Sequence, residues 1–403
     1  MGGGVVHSNH SHNPGAFGFE YWLSNFGVFE VDPILSRNGK FEDFLGDSSD
    51  IVVAEALKFI SAQSMRARRA LTVIWYPSPH EPWVALNSDR SVAAGVFKSR
   101  YYGEVHALDR SIGTLRRGLR EQGVENTTLL VFSSDNGGYH GLPVQSNGGL
   151  KGYKKEIFEG GIRVPAIIEW PDVIKPRVSW HPTCAYDLFP TLVDLVGLPK
   201  ASMLQPQDGM SLVRLFGREV DRPRTNPIII KYKWNWALID NDMKLITSGY
   251  PSTSKYSIFN LSSIPKPVSN SSKALNHSLM MARIMGNEHL VPSEYKRAIA
   301  DERNRVATDS PAPDTAVHRH VRFLRKTLLD FASSLNASRR GRDYPEDSVF
   351  DQPPSKIWCD LKLYRPYLPD LLARPQHRNE LRYLSQARAM RFACVPAPGC
   401  TLY

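Results

Sequence analysis

The chain has 403 residues, 42% of them hydrophobic, and a formal net charge of +10 at pH 7. This length provides for one large domain or two smaller ones. The excess of basic residues is compatible with a polyanionic partner such as a sulfated glycan, nucleic acid or an anionic membrane, and a solvated basic surface explains the charge at least as well. No run of residues is apolar enough to span a membrane, and no sequence motif favours nucleic acid. We therefore expect neither a membrane span nor a nucleic-acid partner.

The amino terminus and the cysteines say little about the compartment. The first fifteen residues, MGGGVVHSNHSHNPG, have neither the basic region nor the apolar core of a signal peptide. No two cysteines form a CxxC pair, so a zinc site is not expected, and Cys394 and Cys400 could be bridged or free. Acceptor triplets for N-glycosylation favour a secretory route. They begin at Asn9, Asn126, Asn260, Asn270, Asn276 and Asn336.

Helices and apolar runs alternate through the first third of the chain. One of the polar residues 48–50 is the expected N-cap of a helix that ends near Ala62. The run Leu71–Tyr76 predicts a buried strand, and His80 follows in the loop beyond its carboxyl end. A long amphipathic helix is predicted over residues 97–122. This alternation indicates an α/β fold with a mostly parallel sheet.

A second apolar run, Leu129–Phe132, leads into the most informative stretch of the chain. Open α/β sheets place their ligands at the carboxyl ends of strands, where Asp135 and Asn136 stand. One charged and one neutral oxygen ligand suit Ca²⁺ or Mg²⁺. A glycine-rich stretch, 137–161, follows and contains Lys154. Metal ligands such as Asp135 and Asn136 beside a lysine are typical of a site for a tetrahedral oxyanion. Asp-Asn-Gly alone, however, is also a common turn signal.

The second half of the chain predicts a smaller antiparallel subdomain. After a strand at 166–170 and a helix at 186–197, with Pro190 in its first turn, Asp240-Asn241-Asp242 is expected to form a hairpin turn. A closing helix passes through Val321 and Leu335. The short strands of the subdomain are expected at residues 228–232, 236–239, 243–247 and 256–261.

Four parts follow from this order of elements. Residues 1–13 are expected to be a disordered start, and residues 14–217 an α/β domain. Residues 218–351 are expected to hold the small sheet, a polar insertion and the closing helix. Residues 352–403 form a proline- and arginine-rich tail to which the sequence assigns no role.

Three motifs together carry a family resemblance. They are Ser-Asp-Asn-Gly-Gly at 134–138, Gly-Gly-Leu-Lys-Gly-x-Lys at 148–154 and Glu-Gly-Gly-Ile-Arg-Val-Pro at 159–165. In this order and spacing they resemble the sulfatase family of the alkaline-phosphatase-like superfamily, from roughly Pro14 to about Pro345. The resemblance implies a mostly parallel sheet sandwiched by helices, with a small C-terminal antiparallel sheet. It also suggests a secretory, lysosomal or extracellular location.

The resemblance assigns roles to four residues. Asp135 and Asn136 match the later pair of ligands for a divalent metal, usually Ca²⁺ in the family. Lys154 matches the lysine that contacts the sulfate, and His80 matches the histidine near the leaving oxygen. Without the family match, Lys154 would be read as a solvated surface lysine and His80 equally well as a loop histidine. The implied substrate is a sulfated small molecule or a sulfated glycan.

Several family motifs have no counterpart in the chain. Neither the Gly-Lys-Trp-His motif nor the paired N-terminal aspartates that help to hold the metal occur. The [C/S]-x-P-x-R motif, whose Cys or Ser becomes the formylglycine nucleophile, is also missing, and the similar string at 394–398 lacks the arginine. We therefore expect a sulfatase-family protein without its N-terminal third, with an exposed strand edge, a half-built metal site and little or no turnover.

Two other functions remain open from the sequence. A non-catalytic protein could use the basic site and surface to hold sulfated polysaccharide. A phosphatase or phosphodiesterase of the same superfamily is the second alternative, although those enzymes usually rely on two metals and on more histidine and aspartate ligands. The oligomeric state is not predicted.

Overall fold

The computed structural model describes two compact units of the chain. The first holds the described residues up to Thr127 and the second those from Thr128 onward. This division lies inside the predicted domain 14–217, so the four-part organisation stays a prediction, and the predicted start and tail lie outside the described residues. The structure describes residues 14–25, 31–81, 83–93, 95–142, 147–148, 150–218, 220, 222–251, 256–261, 293–294, 297–301, 315–338, 340 and 342.

The first unit opens with a small antiparallel sheet that the sequence analysis did not predict. Its strands are β1 (Leu23–Ser24), β2 (Ile34–Arg37) and β3 (Lys40–Asp43), in that spatial order. Asn38 and Gly39 join β2 to β3 with φ values of 47° and 92°. Asn-Gly is the residue pair that favours a two-residue hairpin turn with positive φ at both positions. This dipeptide was therefore the available sequence signal for the hairpin.

Two helices form the core of the first unit. Helix α1 (Ser48–Met65) is longer than predicted, and its N-cap is Asp47, whose carboxylate accepts a hydrogen bond from the Ser49 amide at 2.8 Å. Asp47 corrects the predicted cap at 48–50, because the capping side chain must precede the first helical turn. Helix α2 (Val96–Glu121) was predicted within a residue at each end. It packs against α1 at Gly118.

The prediction of a buried strand at Leu71–Tyr76 is wrong for the structure described. This segment has no strand assignment, and Leu71, Val73 and Trp75 are 61%, 46% and 74% exposed. A strand needs neighbouring backbone to accept and donate its ladder of hydrogen bonds. Among the described residues no strand pairs with this segment, so its apolar side chains remain at the surface.

The second unit begins with a two-stranded ribbon. Strand β4 (Leu130–Ser133) pairs antiparallel with β5 (Ala166–Glu169), and Ser133 lies opposite Ala166. Both strands were predicted, but as members of a mostly parallel sheet. Every strand pair that the structure describes is antiparallel, so the parallel sheet is not among the described pairings. The ribbon places the residues after β4 beside those before β5.

Between and after the ribbon strands lie three short helices: α3 (Glu159–Ile162), α4 (Leu188–Leu195) and α5 (Arg214–Gly217). Helix α4 confirms the predicted helix, with Pro190 in its first turn. No helix in the described part of the chain is long and apolar enough to cross a membrane.

A four-stranded antiparallel sheet and a long helix complete the second unit, as predicted. Asn241, at φ 51°, turns β7 into β8. The fully buried side chains of Leu238, Leu245, Leu324 and Leu328 join the sheet to the helix. The elements, in spatial order for the sheet, are β6 (Ile228–Tyr232), β7 (Asn235–Asp240), β8 (Met243–Ser248) and β9 (Tyr256–Asn260), and α6 (Ala316–Ser338).

Candidate functional site

The predicted metal pair stands immediately after strand β4. Asp135 is exposed and Asn136 is half-buried. Ser134 donates a hydrogen bond from its hydroxyl to the Asn136 carbonyl oxygen at 2.9 Å. This bond bends the chain out of the strand direction, so the two side chains follow the end of the strand as the sequence predicted.

Backbone hydrogen bonds join the metal pair to the segment of Lys154. We call the described residues between Gly137 and Gly161 the glycine loop. The Gly137 amide donates to the Gly161 carbonyl at 2.9 Å, and the Lys154 amide donates to the Gly138 carbonyl at 2.8 Å. The arm that follows Asp135 and Asn136 is therefore bonded directly to the arm that carries Lys154, and the segments of these three predicted residues are brought together.

Glycine is required where these arms cross. A Cβ on Gly137 would stand 1.8 Å from the Gly160 carbonyl oxygen, and one on Gly160 would stand 2.0 Å from the Gly152 carbonyl oxygen. Real atoms do not approach so closely, and the neighbour in each case is backbone that cannot rotate away. The spacing of these glycines in the sequence therefore encodes a close crossing of main chains.

The three lysines of the glycine loop have different surroundings. Lys151 places its Nζ 4.3 Å from the centre of the Phe158 ring, a cation–π contact that a fully solvated surface lysine would lack. Lys155 is exposed. Lys154 is half-buried, with its backbone fixed to Gly138. Among the three, Lys154 is the lysine whose main chain is bonded to the arm of the metal pair.

A buried ion pair fastens the end of the glycine loop to the four-stranded sheet, and sequence reasoning missed it. Lys244 of β8 donates from Nζ to the Glu159 Oε1 and to the Ile157 carbonyl oxygen, both at 2.7 Å. Both side chains are almost completely buried. Burial lowers the pKa of Lys244, and the Glu159 carboxylate opposes that shift. A lysine in a strand carries no pattern that signals such a contact.

His80 lies in the first unit, in a loop held by one buried carboxylate. We call the described residues from Ser78 to Val84 the histidine loop. Glu104 of α2, which is fully buried, accepts from the Ser78 hydroxyl at 2.6 Å and from the Val84 amide at 2.9 Å. Within the loop, the His80 amide donates to Pro77, and its Nδ1 lies 2.6 Å from the Glu81 carbonyl oxygen.

A second buried carboxyl group lies near this clamp. Asp47 is 2% exposed, and its Oδ2 has no hydrogen-bond partner among the described residues. Burial raises the pKa of Asp47 to about 6, the Ser49 amide opposes the shift, and the charge of Glu104 adds to it. Asp47 is therefore a carboxyl group whose charge changes under mildly acidic conditions.

The described residues do not form a complete metal site. Asp135 and Asn136 supply oxygen ligands of the type that Ca²⁺ prefers, but Ca²⁺ takes about six to eight of them. In the part of the chain covered by the structure, no three His, Cys, Asp or Glu side chains are grouped so that they could hold a metal ion. The donor type fits the predicted metal and the donor number does not.

Cys184 is a free thiol in a buried polar cluster. Burial, followed by the Asp187 charge, raises its pKa to about 12, so the thiol stays protonated near neutral pH. It belongs to a structural cluster around the fully buried Asp187–Arg224 ion pair. Although burial alone would raise the pKa of Asp187, the Arg224 guanidinium holds it below its usual range. The string at 394–398 lies outside the described residues.

Comparison with known proteins finds similarity to sulfatases. Residues 3–198, slightly less than half of the chain, match the model of the Sulfatase family. Human Arylsulfatase D is 33% identical over 216 residues, which are 50% of this chain and 35% of that protein. N-acetylgalactosamine-6-sulfatase of Mus musculus is 30% identical over 226 residues, 52% of this chain and 42% of that protein.

Both comparisons cover much less than the whole of the relatives. The chain spans roughly a third to two fifths of the curated relatives it matches. Among solved structures, that of Ps i-CgsB in complex with k-i-k-neocarrahexaose superimposes with a TM-score of 0.54 at 24% identity. It covers 68% of this chain and 67% of that one. This similarity confirms the predicted fold class.

Proposed function

We propose that the chain carries part of a site for hydrolysis of sulfate esters. Asp135 and Asn136 would offer oxygen ligands to a divalent cation, Ca²⁺ being usual in the family, and the Lys154 ammonium would contact the sulfate. The observation that carries the proposal is the crossing of the two arms through the hydrogen bonds of Gly137 and Lys154. The sulfatase names of the relatives support it.

The side chains would act on different atoms of the ester. The positive charge of Lys154 would stabilise the negative charge that develops on the sulfate oxygens. His80, near the leaving oxygen in the family pattern, would donate the proton that this oxygen takes up as the S–O bond breaks. A divalent cation, when bound, would withdraw charge from the sulfate oxygens.

Turnover by the chain as given is proposed to be very low or absent. The nucleophile motif and the paired aspartates of the family do not occur in the sequence. Asp135 and Asn136 alone would hold a cation weakly. Binding of a small anion, which needs neither a nucleophile nor a complete metal site, is therefore the property to measure first.

The proposed substrate is a sulfated small molecule or a sulfated glycan. The names of two relatives, Arylsulfatase D and N-acetylgalactosamine-6-sulfatase, indicate an aryl sulfate and a sulfated sugar as their substrates. One solved structure of the same fold, at TM-score 0.50, contains its substrate D-glucosamine-2-N,6-O-disulfate. A secretory, lysosomal or extracellular location is part of the proposal, and the acceptor triplet at Asn126 offers a site for testing it by glycosidase treatment.

The first experiment measures binding of inorganic sulfate to the full chain at low salt. We expect Lys154→Gln to weaken sulfate binding about tenfold, the equivalent of about 1.4 kcal/mol. Lys155→Gln, one residue away and exposed, is the matched control and should leave binding unchanged. Equal affinities for the two variants would contradict the assignment of Lys154.

The second experiment measures turnover. An aryl sulfate and D-glucosamine-2-N,6-O-disulfate are offered with and without Ca²⁺, and we expect no hydrolysis above the background. Hydrolysis that co-purifies with the chain and is lost in Lys154→Gln would refute the proposed inactivity while supporting the site. Parallel assays with phosphate esters on a version of the protein that spans its relatives distinguish sulfatase from phosphatase or phosphodiesterase activity.

A non-catalytic protein that binds sulfated polysaccharide is the second candidate. Two observations favour it: the net charge of +10, and a cleft of about 560 Å³ in the first unit, whose lining includes Arg66, Arg68 and the stacked rings of Tyr21 and Phe59. Electrostatic binding of this kind predicts salt-sensitive retention on a heparin-like resin. Failure to bind at low salt would count against it.

A further inference from the structure

Lys244 is an unusual residue for the middle of a sheet. It lies on β8 between Met243 and Leu245, and its side chain is 1% exposed. A buried ammonium is costly unless it is paired and hydrogen-bonded. Its two acceptors are Glu159 and Ile157, which lie more than eighty residues earlier in the chain. Strand β8 therefore contains a buried charged side chain whose hydrogen bonds are made to the glycine loop.

Stability alone does not explain this charge. Replacing a buried ion pair by apolar side chains of similar volume is often neutral or stabilising, so such a pair is weak evidence for a stabilising role. The better-attested use of buried charges is to specify one arrangement among several. Glu159 has a second buried oxygen, Oε2, without a hydrogen-bond partner among the described residues. The other oxygen, Oε1, accepts a hydrogen bond from Lys244 at 2.7 Å, so the ion pair is also a hydrogen bond.

The partners of Lys244 lead directly to both arms of the candidate site. Glu159 begins α3, and the next residue, Gly160, donates from its amide to the Lys151 carbonyl oxygen at 2.7 Å. Gly161 accepts from the Gly137 amide. Residues 157–161 are therefore bonded to the arm of the metal pair on one side and to the lysine-bearing arm on the other.

We infer that Lys244 is a positioning residue for the anion site, because its ammonium holds residues 157–161 and through them the arms that carry Asp135 and Lys154. The inference rests on the proposed role of Lys154 and extends it, because it makes anion binding depend on the small C-terminal sheet. Lys244 itself touches no substrate in this assignment. It acts by limiting the orientations that the glycine loop adopts.

Three variants separate positioning from simple stabilisation. Lys244→Met removes the charge and leaves the Glu159 carboxylate buried and uncompensated. Lys244→Met combined with Glu159→Leu replaces the ion pair by an apolar pair, which should restore much of the stability. Lys231→Met is the control, because Lys231 lies on β6 of the same sheet and its Nζ packs over the Trp236 ring instead of the glycine loop.

Two measurements on the full chain are needed. Hydrogen exchange followed by mass spectrometry reports local opening of peptides from residues 137–161, with peptides from the four-stranded sheet as an internal reference. Titration with inorganic sulfate reports the site. In the double variant we expect exchange in the glycine loop to rise about tenfold relative to the sheet, and sulfate affinity to fall about tenfold. Lys231→Met should change neither quantity.

Hydrogen exchange tests the positioning role of Lys244, and sulfate binding tests the proposed function, so either one can fail without the other. Wild-type exchange in the glycine loop of the double variant would overturn the positioning role, whatever happens to sulfate binding. If the wild-type chain binds no sulfate, the proposed function fails, and the exchange measurement still decides whether Lys244 holds the loop. If Lys244→Met does not fold, the double variant carries the test. If the double variant does not fold either, the ion pair is required for the fold itself, and the inference is rejected.

Discussion

The loop that carries His80 and the loop that carries Lys154 are anchored in different ways. The histidine loop is short and is clamped by a single side chain, the fully buried Glu104, which accepts one hydrogen bond near each end. The glycine loop is longer and is held mainly by its own backbone, with the Lys244–Glu159 ion pair closing one end. In the histidine loop the Glu104 side chain alone bonds to both Ser78 and Val84.

The two arrangements position different numbers of segments. In the histidine loop, fixing both ends limits where the single ring of His80 can go. In the glycine loop, crossing of the main chain brings the segment that follows Asp135 and Asn136 within hydrogen-bond distance of the segment that carries Lys154. Crossing at Gly137 and Gly160 leaves no space for a Cβ. Substitutions in both units test the contrast between anchoring by one buried side chain and anchoring by main-chain crossing.

The largest effect is expected where a buried charge loses its partner in the second unit. Arg224→Met leaves Asp187 buried and unpaired, and the expected loss is about 3–5 kcal/mol in the free energy of unfolding. Urea unfolding of the full chain measures it. Arg120→Met in the first unit removes an exposed ion pair with Glu125 and should cost at most about 1 kcal/mol. Similar losses for both variants would contradict the distinction between buried and exposed charges.

The crossing of the glycine loop should be the next most sensitive feature. Gly137→Ala forces a Cβ against the Gly160 carbonyl oxygen, and we expect a loss of about 3 kcal/mol, the upper end for overpacking. Gly113→Ala in helix α2 of the first unit meets no atom within 4 Å. It should stabilise the chain by about 0.5–1 kcal/mol through helix propensity. Denaturant unfolding of both variants distinguishes steric conflict from a general effect of replacing glycine.

The clamp of the histidine loop should show a smaller and more local effect. Glu104→Gln keeps the shape of the side chain but replaces a charged acceptor by an amide, so the hydrogen bond from Val84 loses its charge assistance and the one with the Ser78 hydroxyl has to reverse its direction. We expect a cost of about 2 kcal/mol and faster hydrogen exchange in peptides that contain residues 78–84. Glu121→Gln, exposed at the end of the same helix, is the control. An unchanged exchange rate in the histidine loop would show that Glu104 does not hold it.

The smallest effect concerns pH. The pKa of Asp47 is about 6 in the folded chain and about 3.9 in an unfolded one. Between these values the folded state binds the proton more tightly, so this group's contribution to stability is present below about pH 4 and is lost as pH rises through about 6. Asp47→Asn can still cap α1. The stability difference between wild type and Asp47→Asn should therefore change by about 1–2 kcal/mol between pH 4 and pH 7.

Unfolding curves at pH 4, 5, 6 and 7 provide this measurement. Asp47→Ala, which lacks the cap, should lose a further ~1 kcal/mol at every pH. A difference between wild type and Asp47→Asn that does not vary with pH would mean that Asp47 is not perturbed by its burial.

Much of the second unit could be predicted from the sequence because its signals are local. Alternating apolar residues specify β6 to β9, a turn at Asn241 joins β7 to β8, and the helical spacing from Val321 to Leu335 lies within α6. The same holds for the glycine loop, whose glycines mark the crossing points before any contact is known. In the first unit the Asn38–Gly39 hairpin was equally local and was overlooked.

The amino-acid sequence by itself indicated the fold class through its apolar periodicity, and it suggested Asp135, Asn136, Lys154 and His80 as candidate residues through motifs that resemble those of sulfatases. Only the tertiary structure decided that Lys244 and Glu104 hold the loops, and that the apolar segment Leu71–Tyr76 lies exposed instead of buried. The physical reason is distance along the chain. The partner of a buried lysine lies far away in the sequence, and so do the strands that would cover an apolar segment. A local sequence pattern does not identify these distant residues.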